Sequence, residues 1–200
     1  MSGKLVVVKK VPNAILYEGG VIKLINVRAS YPHLAEPYKG DGENDKPSFG
    51  IVGLLPHGSH KEAALLVKEA IDKLAKESKL TVAKDKRCLR NGDDGDKEEA
   101  FGHYTVSARE NKRPKVRGLD NQEVPKDEIE ELIYGGCYVD ILIRLWAQDN
   151  KFGKRINANL VAVRFRKDGE AFGEGRINDE EAWDDEESDG GGFDDDEDDI

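Results

Sequence analysis

The alternation of apolar and polar residues along the chain predicts a mainly β protein. Its clearest strand runs from residue 137 to 147, and a turn at 148–153 leads into a partner strand at 155–166. These two strands are predicted to form an antiparallel hairpin. Stretches rich in glycine and charge predict loops at 35–47 and 84–99. Runs rich in β-branched residues predict further strands, at residues 21–29, 49–55 and 101–108.

The one long helix is predicted from residue 59 to about residue 79. Ser59 and Glu62 form a capping box at its start, and apolar residues follow at helical spacing, at Val67, Ile71 and Leu74. A short helix is predicted over residues 125–133. The links between strands are rich in turn residues and show no regular alternation of strand and helix. This pattern favours a small barrel or a curled sheet over a doubly wound fold.

The predicted strand 137–147 has two chemically different faces, because side chains alternate along a strand. One face is apolar and is predicted to face the core: Val139, Ile141, Ile143 and Leu145. The other face carries Tyr138, Asp140, Leu142, Arg144 and Trp146. A tryptophan beside an arginine on an outer face is a platform on which nucleic-acid bases can stack. The alternative is that Trp146 covers a secondary core beneath a loop or helix.

Two cationic loops accompany this strand. The hairpin turn combines three cations with a phenylalanine, in the order Lys151, Phe152, Gly153, Lys154 and Arg155. A second loop holds Lys112, Arg113, Lys115 and Arg117 around Pro114. Basic loops are often only solvated surface, but two of them beside an aromatic strand favour nucleic-acid binding. Further candidates for the same groove are Arg28, Tyr31, His103 and Tyr104.

Acidic residues are segregated at one end of the chain. The sequence carries 31 Lys and Arg against 41 Asp and Glu, a formal charge of −10. Residues 179–200 hold fourteen of the acids and no Lys or Arg. Residues 1–178 therefore carry 31 basic and 27 acidic side chains, a charge of about +4. A mildly basic body suits an anionic ligand, and the acidic segment can compete with that ligand for the same surface.

Two units are predicted from this division: a folded domain over residues 1–178 and a disordered acidic tail over residues 179–200. Fourteen like charges and three consecutive glycines cannot bury enough apolar surface to fold. The apolar residues Trp183, Phe193 and Ile200 stand out within the tail. Apolar side chains among acids suit docking into a basic-rimmed pocket of a partner protein. The alternative is a tail that serves solubility or charge balance alone.

Sequence signals for catalysis, metal binding and membrane insertion are weak. Cys88 and Cys137 form neither a C-x-x-C pair nor a disulfide framework, which favours a reducing compartment. The apolar run at residues 5–8 is too short for a secretory or membrane-spanning segment. The acidic run at 93–96 lacks the spacing of a calcium loop, and two nearby histidines lack further zinc ligands. Phosphate-loop, zinc-protease and serine-hydrolase motifs do not occur. No enzyme activity, metal or cofactor is predicted.

Several short sequences surround the hairpin and mark both ends of the body. They are Tyr-Gly-Gly-Cys-Tyr-Val at 134–139, Leu-Trp-Ala-Gln-Asp-Asn at 145–150, Gly-Lys-Arg-Ile at 153–156, Asn-Leu-Val-Ala-Val at 159–163, Val-Arg-Ala-Ser-Tyr-Pro at 27–32 and Arg-Ile-Asn-Asp-Glu-Glu-Ala-Trp at 176–183. Together they resemble a family of bacteriophage single-stranded-DNA-binding proteins, over most of residues 20–183. The resemblance implies an OB-fold, a five-stranded barrel with a grooved binding face. It also implies a role in DNA replication and recombination in the cytoplasm of an infected bacterial host.

The sequence therefore predicts a non-enzymatic protein that binds single-stranded DNA with little sequence preference. Cationic loops would follow the phosphates while aromatic side chains stack on bases, and the tail would compete with DNA and recruit replication or recombination proteins. The alternative is an acidic-tailed protein-interaction or chaperone module that does not bind DNA. The candidate DNA-binding residues are Arg28, Tyr31, Tyr104, Lys112, Arg113, Lys115, Arg117, Tyr138, Arg144, Trp146, Lys151, Phe152, Lys154 and Arg155.

Overall fold

The computed structural model describes residues 3–43 and 45–173. The predicted tail, with Trp183, Phe193 and Ile200, lies outside the described residues, as does its boundary at residue 178. The described part holds two α-helices, α1 (Lys61–Glu77) and α2 (Ile129–Leu132), and five one-turn 3-10 helices. Its nine strands are β1 (Val7–Val11), β2 (Ala14–Tyr17), β3 (Val21–Tyr38), β4 (Ser48–Pro56), β5 (Leu89–Asn91), β6 (His103–Glu110), β7 (Lys115–Arg117), β8 (Tyr138–Asn150) and β9 (Gly153–Lys167).

Five of these strands close into a barrel. Their order is β3, β4, β6, β9 and β8, and β8 pairs again with β3. Neighbouring strands are antiparallel except β6 and β9, which run parallel. A closed five-stranded barrel with this mixed pairing is the OB-fold. The prediction of a mainly β, OB-fold-like barrel with one long and one short helix is confirmed.

The β8–β9 hairpin forms one wall of the barrel and packs its inner face into the core. The four β8 residues predicted to face inward are between 0 and 6% exposed: Val139, Ile141, Ile143 and Leu145. Alternate residues of β9 meet them from the other strand, at Ile156, Ala158 and Leu160. Burial of these aliphatic side chains contributes roughly 1.5–3 kcal/mol for each large one. The period-of-two prediction for this strand is confirmed, because one face is uniformly buried.

Asp140 departs from the expected pattern, since it lies on the outer face of β8 and yet is only 3% exposed. Its carboxylate accepts hydrogen bonds from Arg164 at 2.6 Å and from Arg166 at 3.0 Å. It also accepts one from the backbone N–H of Asn26 at 2.9 Å. Asn26 has a φ of 55° and lies where the β3–β8 register shifts. The carboxylate therefore fixes a bulge in β3 while two arginines balance its charge.

The periodicity of the sequence does not predict the short strands β1, β2, β5 and β7, and it ends β3 too early. β3 continues to Tyr38, through the start of the predicted loop at 35–47. The predicted helix cap is also wrong, because α1 begins at Lys61 with no side-chain cap. The Ser59 hydroxyl instead contacts Nδ1 of His60 at 2.8 Å, and Nε2 of that buried ring lies 3.0 Å from a carbonyl of β3. A buried imidazole needs partners for both nitrogens, so it takes the hydroxyl that the cap would have used.

Candidate nucleic-acid interface

Trp146 lies on the outer face of β8, in the part of the hairpin nearer its turn. Its side chain is 41% exposed, and its partner across the hairpin is Asn157 of β9. An indole this exposed does not cover a secondary core, and part of its surface is open to a ligand. The cross-strand pairs on either side place polar or charged groups next to the ring: Arg144 with Asn159, and Gln148 with Arg155.

Residues 87–91 fill a gap in the barrel wall between β6 and β9. The two barrel strands pair at Arg109 and separate from there, so the wall needs an additional segment. The Cys88 N–H donates to the Ile156 carbonyl of β9 at 2.8 Å. On the other side, the Cys88 carbonyl accepts from the Ser107 N–H of β6 at 3.0 Å. These backbone bonds hold the basic side chains of the segment beside Trp146.

The elements around this seam enclose a groove of about 360 Å³, the Trp146 groove. Its lining combines the indole with neutral polar side chains from β6 and β9, at Ser107, Asn157 and Asn159. Five cations from three separate parts of the chain complete the lining: Lys86, Arg87, Arg90, Arg109 and Arg155. No acidic side chain lines the groove among the described residues.

The positive charge of the Trp146 groove is largely unbalanced. Arg87 pairs with Asp72 at 2.8 Å, and Lys86 lies 3.4 Å from Asp85. In contrast, no described carboxylate lies within 4 Å of the three other guanidinium groups, those of Arg90, Arg109 and Arg155. Like charges repel one another, so an anion that enters a groove of this kind lowers its electrostatic free energy.

The chemistry of the groove matches the two parts of a single-stranded nucleic acid. Guanidinium groups donate paired, charge-assisted hydrogen bonds to phosphate oxygens. An exposed indole offers a face on which any base can stack, with a contribution of roughly 1–3 kcal/mol per base. The asparagine amides beside the indole can donate and accept hydrogen bonds at base edges. Stacking and phosphate contacts of this kind carry little sequence information.

The hairpin turn extends the positive surface beyond the groove. Phe152 is 73% exposed at the tip, and the Lys151 ammonium lies 5.0 Å from the centre of its ring. Lys154 is also exposed, at the start of β9. Arg155 follows it and lines the groove itself. The predicted cationic turn is therefore continuous with the Trp146 groove.

The second predicted loop lies along the same strand, on the far side of Trp146. β7 pairs with β9 so that Lys115 is opposite Ala162, with Val116 buried and its neighbours directed outward. This pairing is five residues beyond Asn157, about 17 Å along the strand. Arg113 is less available, because it donates to the Ala35 carbonyl at 3.2 Å and lies over the Phe49 ring. Lys112 is exposed, and Arg117 donates to the carbonyl of Asn121.

Arg28 and Tyr138 are not brought into the Trp146 groove. The Arg28 guanidinium donates to the carbonyls of Gly136 and Glu170, and it lies 4.2 Å from the centre of the Phe172 ring. The Tyr138 ring contacts the Lys167 ammonium at 4.6 Å from its centre. These two candidates hold the chain segment that follows β9 against the end of the barrel.

Tyr31 and Tyr104 also lie apart from the groove lining. Tyr31 is 51% exposed with a φ of 46°, and its ring centre lies 5.5 Å from the Lys97 ammonium, whose pKa the tyrosine hydroxyl raises. Tyr104 packs against the His57 ring, with 4.4 Å between ring centres. Neither tyrosine lines the groove in the described structure.

Sequence reasoning missed Lys86, Arg87, Arg90 and Arg109, which supply four of the five groove cations. The first three fall in the stretch 84–99, which reads as a solvated loop because its acids outnumber its apolar residues. A signal for Arg109 did exist, since strand alternation from Val106 and Ala108 directs it outward. That signal predicts that Arg109 lies on the outer face of the barrel, but it does not predict that residues 86–90 lie beside it.

Cys88 contributes a neutral surface to the groove. Burial raises the pKa of its thiol to about 12, so that the sulfur stays protonated at neutral pH. A protonated thiol is a poor metal ligand and a poor nucleophile. Within residues 3–43 and 45–173, no group of three or more His, Cys, Asp or Glu side chains is placed to hold a metal ion.

Comparison with known proteins assigns the family. Residues 21–193 match the model of a family described as the single-stranded-DNA-binding protein of Enterobacter phage Enc34. The chain belongs to this family. The resemblance seen in the sequence is thereby confirmed, and membership of a family of DNA-binding proteins supports a non-enzymatic role. A curated relative, the putative protein p50 of Acyrthosiphon pisum secondary endosymbiont phage 1, is 29% identical over 175 residues, which span 82% of this chain and 92% of that protein.

Solved structures of the Enc34 protein share the fold. The single-stranded DNA-binding protein from bacteriophage Enc34 in complex with ssDNA is 44% identical, with a TM-score of 0.81. That match covers 86% of this chain and all of the other. A second structure of the Enc34 protein is 45% identical, with a TM-score of 0.78, and covers 90% and 99% of the two chains. In the described residues, no helix has the length and apolar character needed to cross a membrane.

Proposed function

We propose that this chain is a non-enzymatic protein that binds single-stranded DNA in the Trp146 groove with little sequence preference. The observation that carries the proposal is the placement of Arg90, Arg109 and Arg155 around an exposed indole, without described carboxylates to balance them. A relative 44% identical, solved in complex with ssDNA, supports the same ligand class. Phosphates would bind the guanidinium groups, and a base would stack on the indole.

The cationic surface on either side of the groove would extend the binding site. Lys151, Phe152 and Lys154 would contact the strand at the hairpin turn. On the far side, the path would continue past Arg144 toward the second loop, with Lys112, Arg113, Lys115 and Arg117. Arg28 and Tyr138 would act indirectly, by fixing the segment that leads to the acidic tail. Tyr31 and Tyr104 would serve as outlying contacts for a longer strand.

The acidic tail at 179–200 would regulate the domain at 1–178. Its fourteen acids would compete with phosphates for the same cations, at the high effective concentration of a tethered ligand. When DNA displaces the tail, Trp183, Phe193 and Ile200 would become available to replication or recombination proteins. This activity would take place in the cytoplasm of the infected bacterial host.

Intrinsic fluorescence can test the proposal directly at the indole. The Trp183→Phe variant of the full chain keeps Trp146 as its one tryptophan. Titration with unlabelled oligo-dT should quench its emission at low salt, and the quenching should require more DNA at high salt. The Trp146→Phe variant retains Trp183 alone and serves as the matched control. Binding measured by anisotropy without any change in Trp146 emission would contradict the groove as the site. Absence of binding at low salt would favour the protein-interaction alternative.

A further inference from the structure

A second concave surface lies on the outer face of the β8–β9 hairpin, away from the Trp146 groove. It is a hollow of about 250 Å³, the Leu142 hollow. Apolar atoms of Tyr17, Leu142 and Ala162 form its floor. The charged residues of its lining, which form its rim, are three cations, Lys23, Arg117 and Arg164, and one carboxylate, Asp140. The paired residues Leu142 and Ala162 are five β9 positions from the pair at Trp146, about 17 Å along the hairpin.

The rim of the hollow keeps a net positive charge. No described carboxylate lies within 4 Å of the Lys23 ammonium or the Arg117 guanidinium. Arg164 is paired with Asp140, but that one carboxylate is shared with Arg166. An apolar floor with such a rim suits a ligand that places an apolar side chain between carboxylates.

The size of the hollow restricts its occupant further. Small-molecule sites usually enclose about 300–1,000 Å³, so a hollow of 250 Å³ suits one or two side chains of a peptide. The sequence itself contains a peptide of matching chemistry, since Phe193 is followed by six consecutive acids and Ile200. The occupant therefore need not come from another protein.

We propose that the Leu142 hollow binds residues 193–200 of this chain, with Phe193 on the apolar floor and the acids that follow it against the rim. The chain is long enough to reach it. Gly173 lies in the segment fixed beside Tyr138, which is four residues or about 13 Å from Leu142 along β8. The twenty residues from there to Phe193 can span up to about 70 Å.

The inference rests on the proposed function, in which the acidic tail regulates DNA binding. Docking in the Leu142 hollow gives that regulation a defined location on the barrel. Acids held at the rim would neutralise Arg117 and the neighbouring Lys115, where the cationic path along β9 ends. The tail would then shorten the path available to DNA without entering the Trp146 groove. A short oligonucleotide that fills the groove alone would compete weakly with the tail, whereas a long one would displace it.

Photo-crosslinking of the full chain tests the docking without DNA. Phe193 is replaced by p-benzoylphenylalanine, the protein is irradiated, and the cross-linked peptides are identified by mass spectrometry. We expect adducts on peptides that contain Tyr17, Lys23 or Leu142, within one chain or between two copies. Adducts concentrated on residues 86–90 or on Trp146 would overturn the proposal, because the tail would then occupy the groove itself. Absence of intramolecular and intermolecular adducts would overturn it as well.

A charge reversal in the rim tests the regulatory consequence. Lys23→Glu in the full chain should release the tail and tighten binding of a long oligo-dT by about fivefold at low salt, the scale of one or two exposed charge pairs. The same substitution should have no effect in a full chain whose fourteen tail acids are replaced by Asn and Gln. Lys61→Glu, on an exposed lysine at the start of α1 that does not line the hollow, is the matched control and should not tighten binding.

Comparison of the chain with the acidic tail and the chain with the neutral tail separates the possible failures. Weaker binding of Lys23→Glu in both chains would show that Lys23 contacts DNA. Unchanged binding in the chain with the acidic tail would show that the rim does not hold the tail, and either result overturns the docking. If neither parent chain binds oligo-dT at low salt, the proposed function fails, and the cross-linking result still decides whether the hollow holds residues 193–200.

Discussion

Arg109 offers the sharpest test of the Trp146 groove, because its removal changes the charge of the groove and little else. Its side chain is exposed on β6, lines the groove and has no ion-pair partner among the described residues. Arg109→Ala should therefore leave the barrel folded, with an unfolding midpoint equal to or slightly above that of the parent. A small gain is expected because one of five mutually repelling cations is lost.

The expected change in the salt dependence of DNA binding follows from counterion release. Each phosphate neutralised on a single strand contributes about −0.7 to the slope of log K against log salt. If Arg90, Arg109 and Arg155 each neutralise one phosphate, the groove contributes a slope of about −2.1. Between 50 and 200 mM salt that slope weakens binding about 18-fold, and the share of one arginine is about 2.6-fold. Arg109→Ala should therefore reduce the magnitude of the slope by about 0.7.

The assay is fluorescence anisotropy of a labelled oligo-dT, titrated with full-length protein at four or more salt concentrations. Arg109→Lys keeps the charge and should retain the parent slope, although its affinity falls because a lysine cannot make a paired hydrogen bond. Lys10→Ala removes an exposed lysine outside the groove and controls for net charge. An unchanged slope in Arg109→Ala, with the fold intact, would refute the claim that this cation neutralises a phosphate.

Three further substitutions or treatments have defined outcomes. Trp146→Ala should weaken oligo-dT binding by roughly 1–3 kcal/mol on every sequence tested, and equal affinity of parent and variant in anisotropy would remove the stacking role. Asp140→Asn should lower the free energy of unfolding in urea by about 3 kcal/mol, the lower end for a broken buried pair because its arginine partners are partly exposed. The raised pKa of Cys88, about 12, keeps its thiol protonated below that pH. Iodoacetamide should therefore label Cys88 slowly between pH 7 and 9 in the native protein and rapidly in urea, and fast native labelling that rises with pH would contradict its burial.

The sequence predicts the barrel well where one period governs a whole strand. Val139 to Leu145 alternate cleanly because β8 is buried on one face along most of its length. β1 gives no such signal, since both of its faces are exposed and its valines show no alternation of burial. β5 and β7 are three residues long, which is too short for any period to be visible. Their positions are set by tertiary pairing with β6 and β9 rather than by local preference.

The candidate site was predictable only as far as one strand defines it. Trp146 and Arg155 could be found because they lie on the outer face of a strong hairpin. Arg28 fits the same criteria in the sequence, and yet its guanidinium binds backbone carbonyls near residue 170, which no local pattern indicates. Arg87 and Arg90 show the opposite case. Their stretch of sequence predicts a solvent-exposed loop, whereas in the structure it forms part of the barrel wall.

The location of the groove follows from how the barrel closes. Parallel strands β6 and β9 meet at Arg109 and then separate, and the backbone groups exposed by that separation need hydrogen-bond partners. Residues 87–91 satisfy them through Cys88, and the same insertion directs Arg87 and Arg90 outward next to Trp146. The same segment therefore closes the barrel wall and places two of the groove's cations. Because the insertion is bonded to both strands, the cations are fixed in place before a ligand arrives, and DNA binding need not supply the cost of ordering them.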